Sequence, residues 1–295
     1  MRTVYLGTSE FAAGVLRRLA RSAHRPALVV TRPDRPRGRG RKLASPPVAD
    51  VARELALELE QPESVNDEAA IRRIGAVRPE VVCVCAFGAL IKEPLLSLFP
   101  MLNVHPSLLP RWRGAAPIER AIMSGDNLTG VSIMRVGEGF DNGPVCAQAS
   151  ERITADDTYG SLAARLEEIG ASLLARTLDE SPPCTPQDES LATYAAKVGP
   201  GDRELDPARP AVELERTVRA LAPHIGAHLL LSDGEWLGVR AAHVLPDGPP
   251  QGEVSFEGPR PVLGCGEGAL ELVEVQPAGR RSMSGEDFLR GRRSR

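Results

Sequence analysis

The run Val81-Val82-Cys83-Val84-Cys85-Ala86 is apolar at every position. A strand with one wet face alternates apolar and polar residues. A run without alternation is what a strand covered on both faces looks like, as in a parallel sheet clothed by helices. Its neighbours fit that picture. Thr3 to Leu6, Ala27 to Thr31 and Leu102 to His105 are short, apolar and β-prone. Between them lie helical patterns: Phe11, Val15, Leu16 and Leu19 after Gly7-Thr8-Ser9; Val48 to Leu59 after Pro46-Pro47; Asn66 to Val77; and Gly114 to Ser124. This alternation predicts an α/β fold with a wound, largely parallel sheet. Thr129 to Val136 and Pro144 to Ala149 read as partner strands, and Asp157 to Glu180 as a long helix capped by Asp157 or Thr158.

The character changes after Asp179. Ser181-Pro182-Pro183-Cys184-Thr185-Pro186 is rich in breakers. Beyond it come one helix, Ala211 to Ala222, and short β-type runs: Ala227 to Leu231, Trp236 to His243, Gly252 to Phe256, Pro261 to Leu263 and Leu270 to Val275. Turns such as Ser232-Asp233-Gly234 separate them, a spacing that suggests a small β-barrel. A chain of 295 residues suggests about two domains. We expect the first over 1–182, a linker over 183–204 and the second over 205–295.

A net charge of −3 makes the chain no polycation, so any nucleic-acid contact must come from a local patch. The five cysteines form no CxxC pair, and their odd number and apolar settings suit reduced, mostly buried thiols in a cytoplasmic protein. No apolar stretch is long enough to cross a membrane, and none reads as a signal peptide.

The chemistry concentrates in Asn103-Val104-His105-Pro106-Ser107-Leu108-Leu109-Pro110. Residues i and i+2 of a strand share a face, so Asn103 and His105 project together. Pro106 ends the strand, which puts the pair at its carboxyl end, where open α/β sheets keep their chemistry. Asp141, in Gly137-Glu138-Gly139-Phe140-Asp141-Asn142-Gly143, follows the Thr129 to Val136 strand. Loops after neighbouring strands meet at one sheet edge, so Asp141 can reach His105. Taken alone, His105 reads as a strand-end histidine bonded to backbone, and Asp141 as a turn residue.

The motif decides otherwise. Asn-x-His-Pro-Ser-Leu-Leu-Pro followed by Arg111-Trp112-Arg113-Gly114-Ala115-Ala116-Pro117-Ile118 resembles the signature of the folate-dependent formyltransferases, in the extended form of those that formylate methionine carried on tRNA. Gln187-Asp188-Glu189, Ala192 to Lys197 and Gln276 to Ser284 resemble further segments of the family, so the likeness spans nearly the whole chain. It implies a Rossmann-like first domain and an OB-like C-terminal barrel. It implies Asn103, His105 and Asp141 as the catalytic set, with 10-formyltetrahydrofolate as formyl donor and no metal. It implies a folate pocket lined by Phe87, Gly88 and Leu90 on one side and Ser107, Leu108, Leu109 and Pro110 on the other. The expected partner is initiator methionyl-tRNA, met by a monomer in the cytoplasm.

Formyl transfer needs donors at the developing oxyanion and a proton acceptor near the amine. Asn103 offers an amide, and His105 can donate and shuttle protons. One such donor is worth ~3–4 kcal/mol of barrier.

Thr31 to Lys42 holds Arg32, Arg35, Arg37, Arg39, Arg41 and Lys42 against one acid, Asp34. Proline and glycine should keep it out of helix and sheet. On its residues it is a solvated loop. The resemblance makes Arg35, Arg37, Arg39, Arg41 and Lys42 a cationic arm for RNA phosphates. Gly7-Thr8-Ser9 lacks GxGxxG, so dinucleotide binding has little support. His224 and His228 are four apart, but Pro223 and Gly226 break the helix that would align them on a metal. Arg290, Arg292, Arg293 and Arg295 read as a solvated basic tail. Three rivals remain: a transferase for amino sugars or nucleotides, a hydrolase releasing formate, and a non-enzymatic RNA-binding module.

Overall fold

The computed structural model describes residues 1–37 and 42–293. The chain forms two compact units. One comprises Met1–Gly114, Leu128–Arg152 and Ala163–Tyr194; the other comprises Ala115–Asn127, Ile153–Leu162 and Ala195–Arg295.

The first unit is built on a seven-stranded sheet. The strands Met101–His105, Val81–Cys85, Thr3–Gly7, Leu28–Val30 and Leu59–Glu60 run parallel in that spatial order. Leu128–Arg135 and Val145–Arg152 add two antiparallel strands beyond Met101–His105. All residues of Thr3–Gly7 and Val81–Cys85 are buried, which is why those segments carry no polar alternation. Burial pushes the Cys83 and Cys85 thiols up to about 12, so both remain inert thiols in the sheet. The first helix, Glu10–Leu19, starts where the Ser9 hydroxyl accepts from the Ala12 N–H at 3.3 Å. It buries Phe11, Val15, Leu16 and Leu19. Helix Tyr159–Glu180 packs the Glu167 carboxyl directly over Gly14, where any side chain would collide with it.

Several expectations need correction. The helix expected over 48–59 is Pro47–Glu54, and Leu59–Glu60 is instead the edge strand of the sheet. Ala56 takes a φ of +49° there, which ends the helix early. The helix expected from Gly114 begins only at Pro117, because Arg113–Gly114 is a short strand. The basic loop is not free of sheet: Arg35–Arg37 pairs antiparallel with Lys42–Ala44. Proline is tolerated on such an isolated edge. Of the C-terminal basic residues, Arg290, Arg292 and Arg293 belong to a helix and not to a free tail, and Arg295 lies outside the described residues. Gly285–Arg293 is a helix, with Arg290 paired to Asp287 and Arg292 to Asp233.

The cysteines depart from expectation most sharply. Cys83, Cys85 and Cys265 are free and buried, but Cys146 and Cys184 form a disulfide. Val145 and Thr185 bond each other's backbones at 2.9 and 2.8 Å, which lays the two cysteines side by side across 38 residues of sequence. Spacing along the chain gave no hint of that bridge.

The second unit is built on an antiparallel sheet. Its strands lie in the order Ala227–Leu230, Trp236–Leu245, Ala269–Pro277, Val262–Gly264 and Val254–Ser255, with Met283–Ser284 also on Ala269–Pro277. Helix Ala211–Leu221 buries Leu214, Val218 and Leu221 against Leu237, Val239, Leu272 and Val275. No helix of the described residues is long and apolar enough to cross a membrane.

Candidate active site

Met101–His105 is held between a parallel and an antiparallel neighbour, with Val104 opposite Cys85 on one side and Ile133 on the other. That double ladder fixes where Asn103 and His105 point. Both side chains meet one carboxylate. Asn103 Nδ2 donates to Asp141 Oδ1 at 3.3 Å, and His105 Nδ1 lies 3.6 Å from Asp141 Oδ2. The Gly114 backbone N–H donates to the same Oδ2 at 2.9 Å. His105 is buried, and its Nε2 faces the Trp112 carbonyl at 2.8 Å. A carbonyl only accepts, so the ring proton belongs on Nε2. Nδ1 is then left toward Asp141.

Asp141 arrives by a route other than the one expected. The strand before it, Leu128–Arg135, is antiparallel, so its end lies beside Leu102 at the start of the Met101–His105 strand. The segment 137–143 therefore folds back along that strand to bring Asp141 to Asn103 and His105. Two local features permit this. Asp141 has φ of +48°, in the left-handed region that aspartate enters more readily than most residues. A Cβ on Gly143 would run into the Arg135 carbonyl oxygen, so only glycine closes the return.

Residues from far along the chain seat this segment. Gln187 Nε2 donates to the carbonyls of Asp141 (2.8 Å) and Gly143 (2.7 Å). Gln187 Oε1 accepts from Arg113 Nε at 3.0 Å, and the Arg113 guanidinium grips Glu189 with bonds of 2.8 and 2.9 Å. Arg113 is almost fully buried, and its bonds to Glu189 hold that carboxyl below its usual range. The sequence reading placed Gln187 and Glu189 in a family segment without giving either a role.

The residues expected around the folate divide by environment. Phe87 is buried in the core, and its carbonyl accepts from Thr8 Oγ1 at 2.6 Å. Gly88 is exposed with φ of +71°, and Leu90 is exposed. Ser107 and Leu109 are buried, while Leu108 and Pro110 are half-buried. The Ser107 hydroxyl is committed to the Arg111 carbonyl at 2.6 Å. Ser132 clamps this turn, donating to the Ser107 carbonyl at 2.6 Å and accepting from the Leu109 N–H at 3.0 Å. Gln148 bonds the Leu109 carbonyl at 2.9 Å. Neither Ser132 nor Gln148 carried a sequence signal.

Of the basic residues, Arg35 pairs with Glu63. The backbones of Arg37 and Lys42 lie in the small hairpin, and Arg39 and Arg41 lie outside the described residues. His224 stacks on Tyr159 at 3.7 Å and bonds Glu119 at 3.0 Å, while His228 meets the edge of Trp236.

Comparison with known proteins bears on this arrangement directly. Residues 1–178 match the family model "Formyl transferase" and 197–293 match "Formyl transferase, C-terminal domain". A methionyl-tRNA formyltransferase of Halorhodospira halophila is 43% identical over 99% of this chain and 96% of its own. The chain belongs to the methionyl-tRNA formyltransferase family. That of Methylococcus capsulatus is also 43% identical, over 98% of this chain and 96% of its own. The solved methionyl-tRNA formyltransferase from Clostridium thermocellum superposes with a TM-score of 0.63 at 14% identity, covering 94% of this chain and 98% of that one. At that identity the structure shows a shared fold.

Proposed function

We propose that this chain moves the formyl group of 10-formyltetrahydrofolate to the amino group of methionine on initiator tRNA. The observation that carries this is the convergence of Asn103, His105 and the Gly114 N–H on the Asp141 carboxylate. The methionine amine attacks the formyl carbon. Asn103 and His105 polarise the formyl oxygen, and the long 3.3 Å bond from Asn103 to Asp141 is one the amide can exchange for that oxygen. Asp141 keeps the ring oriented when the ring is cationic and carries a proton on Nδ1 as well, and it assists departure of the amine proton.

The segments 86–90 and 106–110 leave the carboxyl ends of adjacent parallel strands, where Cys85 lies beside Val104. A crevice between two such loops is where ligands of open α/β sheets bind. We place the folate there, with Phe87, Gly88 and Leu90 on one wall and Ser107 to Pro110 on the other. Since the Phe87 side chain lies in the core and the Ser107 hydroxyl is committed to Arg111, their contribution is shape. Arg35, Arg37, Arg39, Arg41 and Lys42 serve the RNA phosphates. The second unit, read as an OB-like barrel over 205–295 behind a linker at 183–204, serves the same tRNA. The whole works as a cytoplasmic monomer with a catalytic domain over 1–182.

Replacing His105 with Ala tests this reading. With labelled formyl-folate and methionyl-tRNA, transfer should drop by about 10³-fold or more while circular dichroism stays native. Label reaching amino sugars instead, or released as formate, would move the chain to another branch of the chemistry.

A further inference from the structure

The first unit holds a cleft of about 390 Å³ that the proposed reaction does not use. Phe99, Val136 and Leu178 give it apolar walls, and Arg135, Cys146 and Cys184 also line it. No carboxylate among the described residues lines it. Among the described residues, the Arg135 guanidinium makes no ion pair or side-chain hydrogen bond, and its backbone N–H donates to the Pro144 carbonyl at 2.9 Å. Apolar walls and one open cation suit a small molecule with an apolar body and an anionic end. The disulfide gives the cleft a chemistry as well. The three free cysteines are buried, with thiols pushed up to about 12, 12 and 11, so they are poor nucleophiles. Cys146 and Cys184 are only half-buried, and both residues line the cleft.

The pair also touches the machinery that seats Asp141. Cys146 follows Gly143 by three residues, and Cys184 precedes Gln187 by three. Gln187 is the side chain that holds the Gly143 and Asp141 carbonyls. Between disulfide and glutamine lies only the Val145–Thr185 backbone bridge. The covalent link and the hydrogen bonds therefore fasten the same two segments.

We propose that Cys146–Cys184 and its cleft form a thiol–disulfide exchange site for a small anionic thiol, whose action sets how firmly the Asp141 segment is held. The incoming thiolate attacks one cysteine sulfur. The protein S–S bond breaks, a mixed disulfide forms, and the other cysteine leaves as a thiolate that takes a proton. A second small thiolate then attacks the mixed bond. Both cysteines end as thiols, and the two small thiols, having given up two electrons, end as their own disulfide. Arg135 receives the anionic end during attack. With the link broken, Gln187 is held by hydrogen bonds alone and the Asp141 segment loosens.

The catalytic consequence rests on the reading of Asp141 given above, so the test begins with measurements that need no activity. The full chain is equilibrated in reduced and oxidised glutathione, and the cysteine state is read by alkylation and mass. Amide exchange of residues 137–143 is followed in both states. We expect reversible linkage of Cys146 to Cys184, and about fivefold faster exchange of those amides once it is reduced. Arg135→Ala should be reduced by glutathione about fivefold more slowly, yet at the wild-type rate by uncharged dithiothreitol. Formyl transfer should fall about fivefold on reduction, mostly in kcat. Cys184→Ser should match the reduced wild type in amide exchange and ignore glutathione. If that variant does not fold, reduced and alkylated wild type serves in its place. A pair that never links under oxidised glutathione, an unchanged segment after reduction, or reduction of Arg135→Ala by glutathione at the wild-type rate would each overturn the proposal. Absent formyl transfer with intact redox behaviour would instead count against the functional reading alone.

Discussion

Asn103 and His105 reach the site on a strand, and Asp141 reaches it on a returning loop. The strand is bonded on both sides, so displacing either side chain means opening two backbone ladders at once. The loop is fastened by separate hydrogen bonds from Asn103, Gly114 and Gln187. Each such bond is worth about 0.5–1.5 kcal/mol net, and each can fail alone. The site thus has a rigid half that sets direction and an adjustable half that sets protonation and charge. Catalysis needs both, but mutations should affect them differently.

The strongest way to break this comparison is Asp141→Asn. The shape is kept and the charge is lost. If the loop supplies the charge that the strand-borne ring works against, kcat should fall by about 10³-fold with little change in melting temperature. Near-normal turnover would mean that the loop only closes the site and that the strand carries the chemistry alone.

Gln187→Ala asks a milder question. It removes the bonds to the Asp141 and Gly143 carbonyls and leaves the catalytic trio intact. We expect kcat down by about tenfold, with the Michaelis constants for folate and tRNA nearly constant. A merely structural role would lower the melting temperature and leave the kcat of the folded fraction alone. Steady-state kinetics beside thermal melts separate the two.

These halves also differ in how legible they were. The strand half is written locally: the apolar run, the i and i+2 pair and Pro106 together announce it, because strand geometry has a period of two. The sheet around it was equally readable, since Val81–Cys85 carries its double burial in its composition. The loop half was read only through the family motif. Its seat depends on Gln187, 46 residues from Asp141, and on Arg113 and Glu189, which no local pattern connects. The antiparallel turn of Leu128–Arg135, which reverses the expected approach, is likewise a pairing choice and not a residue pattern. The Cys146–Cys184 link was missed for the same reason, because it follows from a backbone bridge between segments far apart.

A third region sharpens the contrast from outside the site. Neutralising Arg39, Arg41 and Lys42 together should raise the Michaelis constant for methionyl-tRNA about fivefold at low salt and flatten its salt dependence, while kcat at saturating tRNA holds. An unchanged constant at moderate salt would remove the arm from the account. A fall in kcat would mean that the arm reaches the adjustable half.

The smallest effect belongs to the rigid frame. The Glu167 carboxyl, laid over Gly14, is raised from the usual carboxylate range to about 7, chiefly by burial, with Arg18 at 3.6 Å pulling it partly back. The unfolded chain releases this proton near 4.5 and the folded chain only near 7. Between those values the folded state holds more protons, so stability falls as pH rises through the window, and the full penalty is present above it. The penalty is about 1 kcal/mol after solvent screening of the partly exposed carboxyl. Glu167→Gln removes the ionisation without changing the shape. It should raise the melting temperature by about 2–4 °C at pH 8 and leave it near wild type at pH 4.5. Its kcat should stay constant, because the helix pair it relaxes belongs to the frame and not to the loop. A lowered melting temperature at pH 8 would show that the carboxyl is paired rather than desolvated, and a loss of kcat would show that the frame and the loop are not separable.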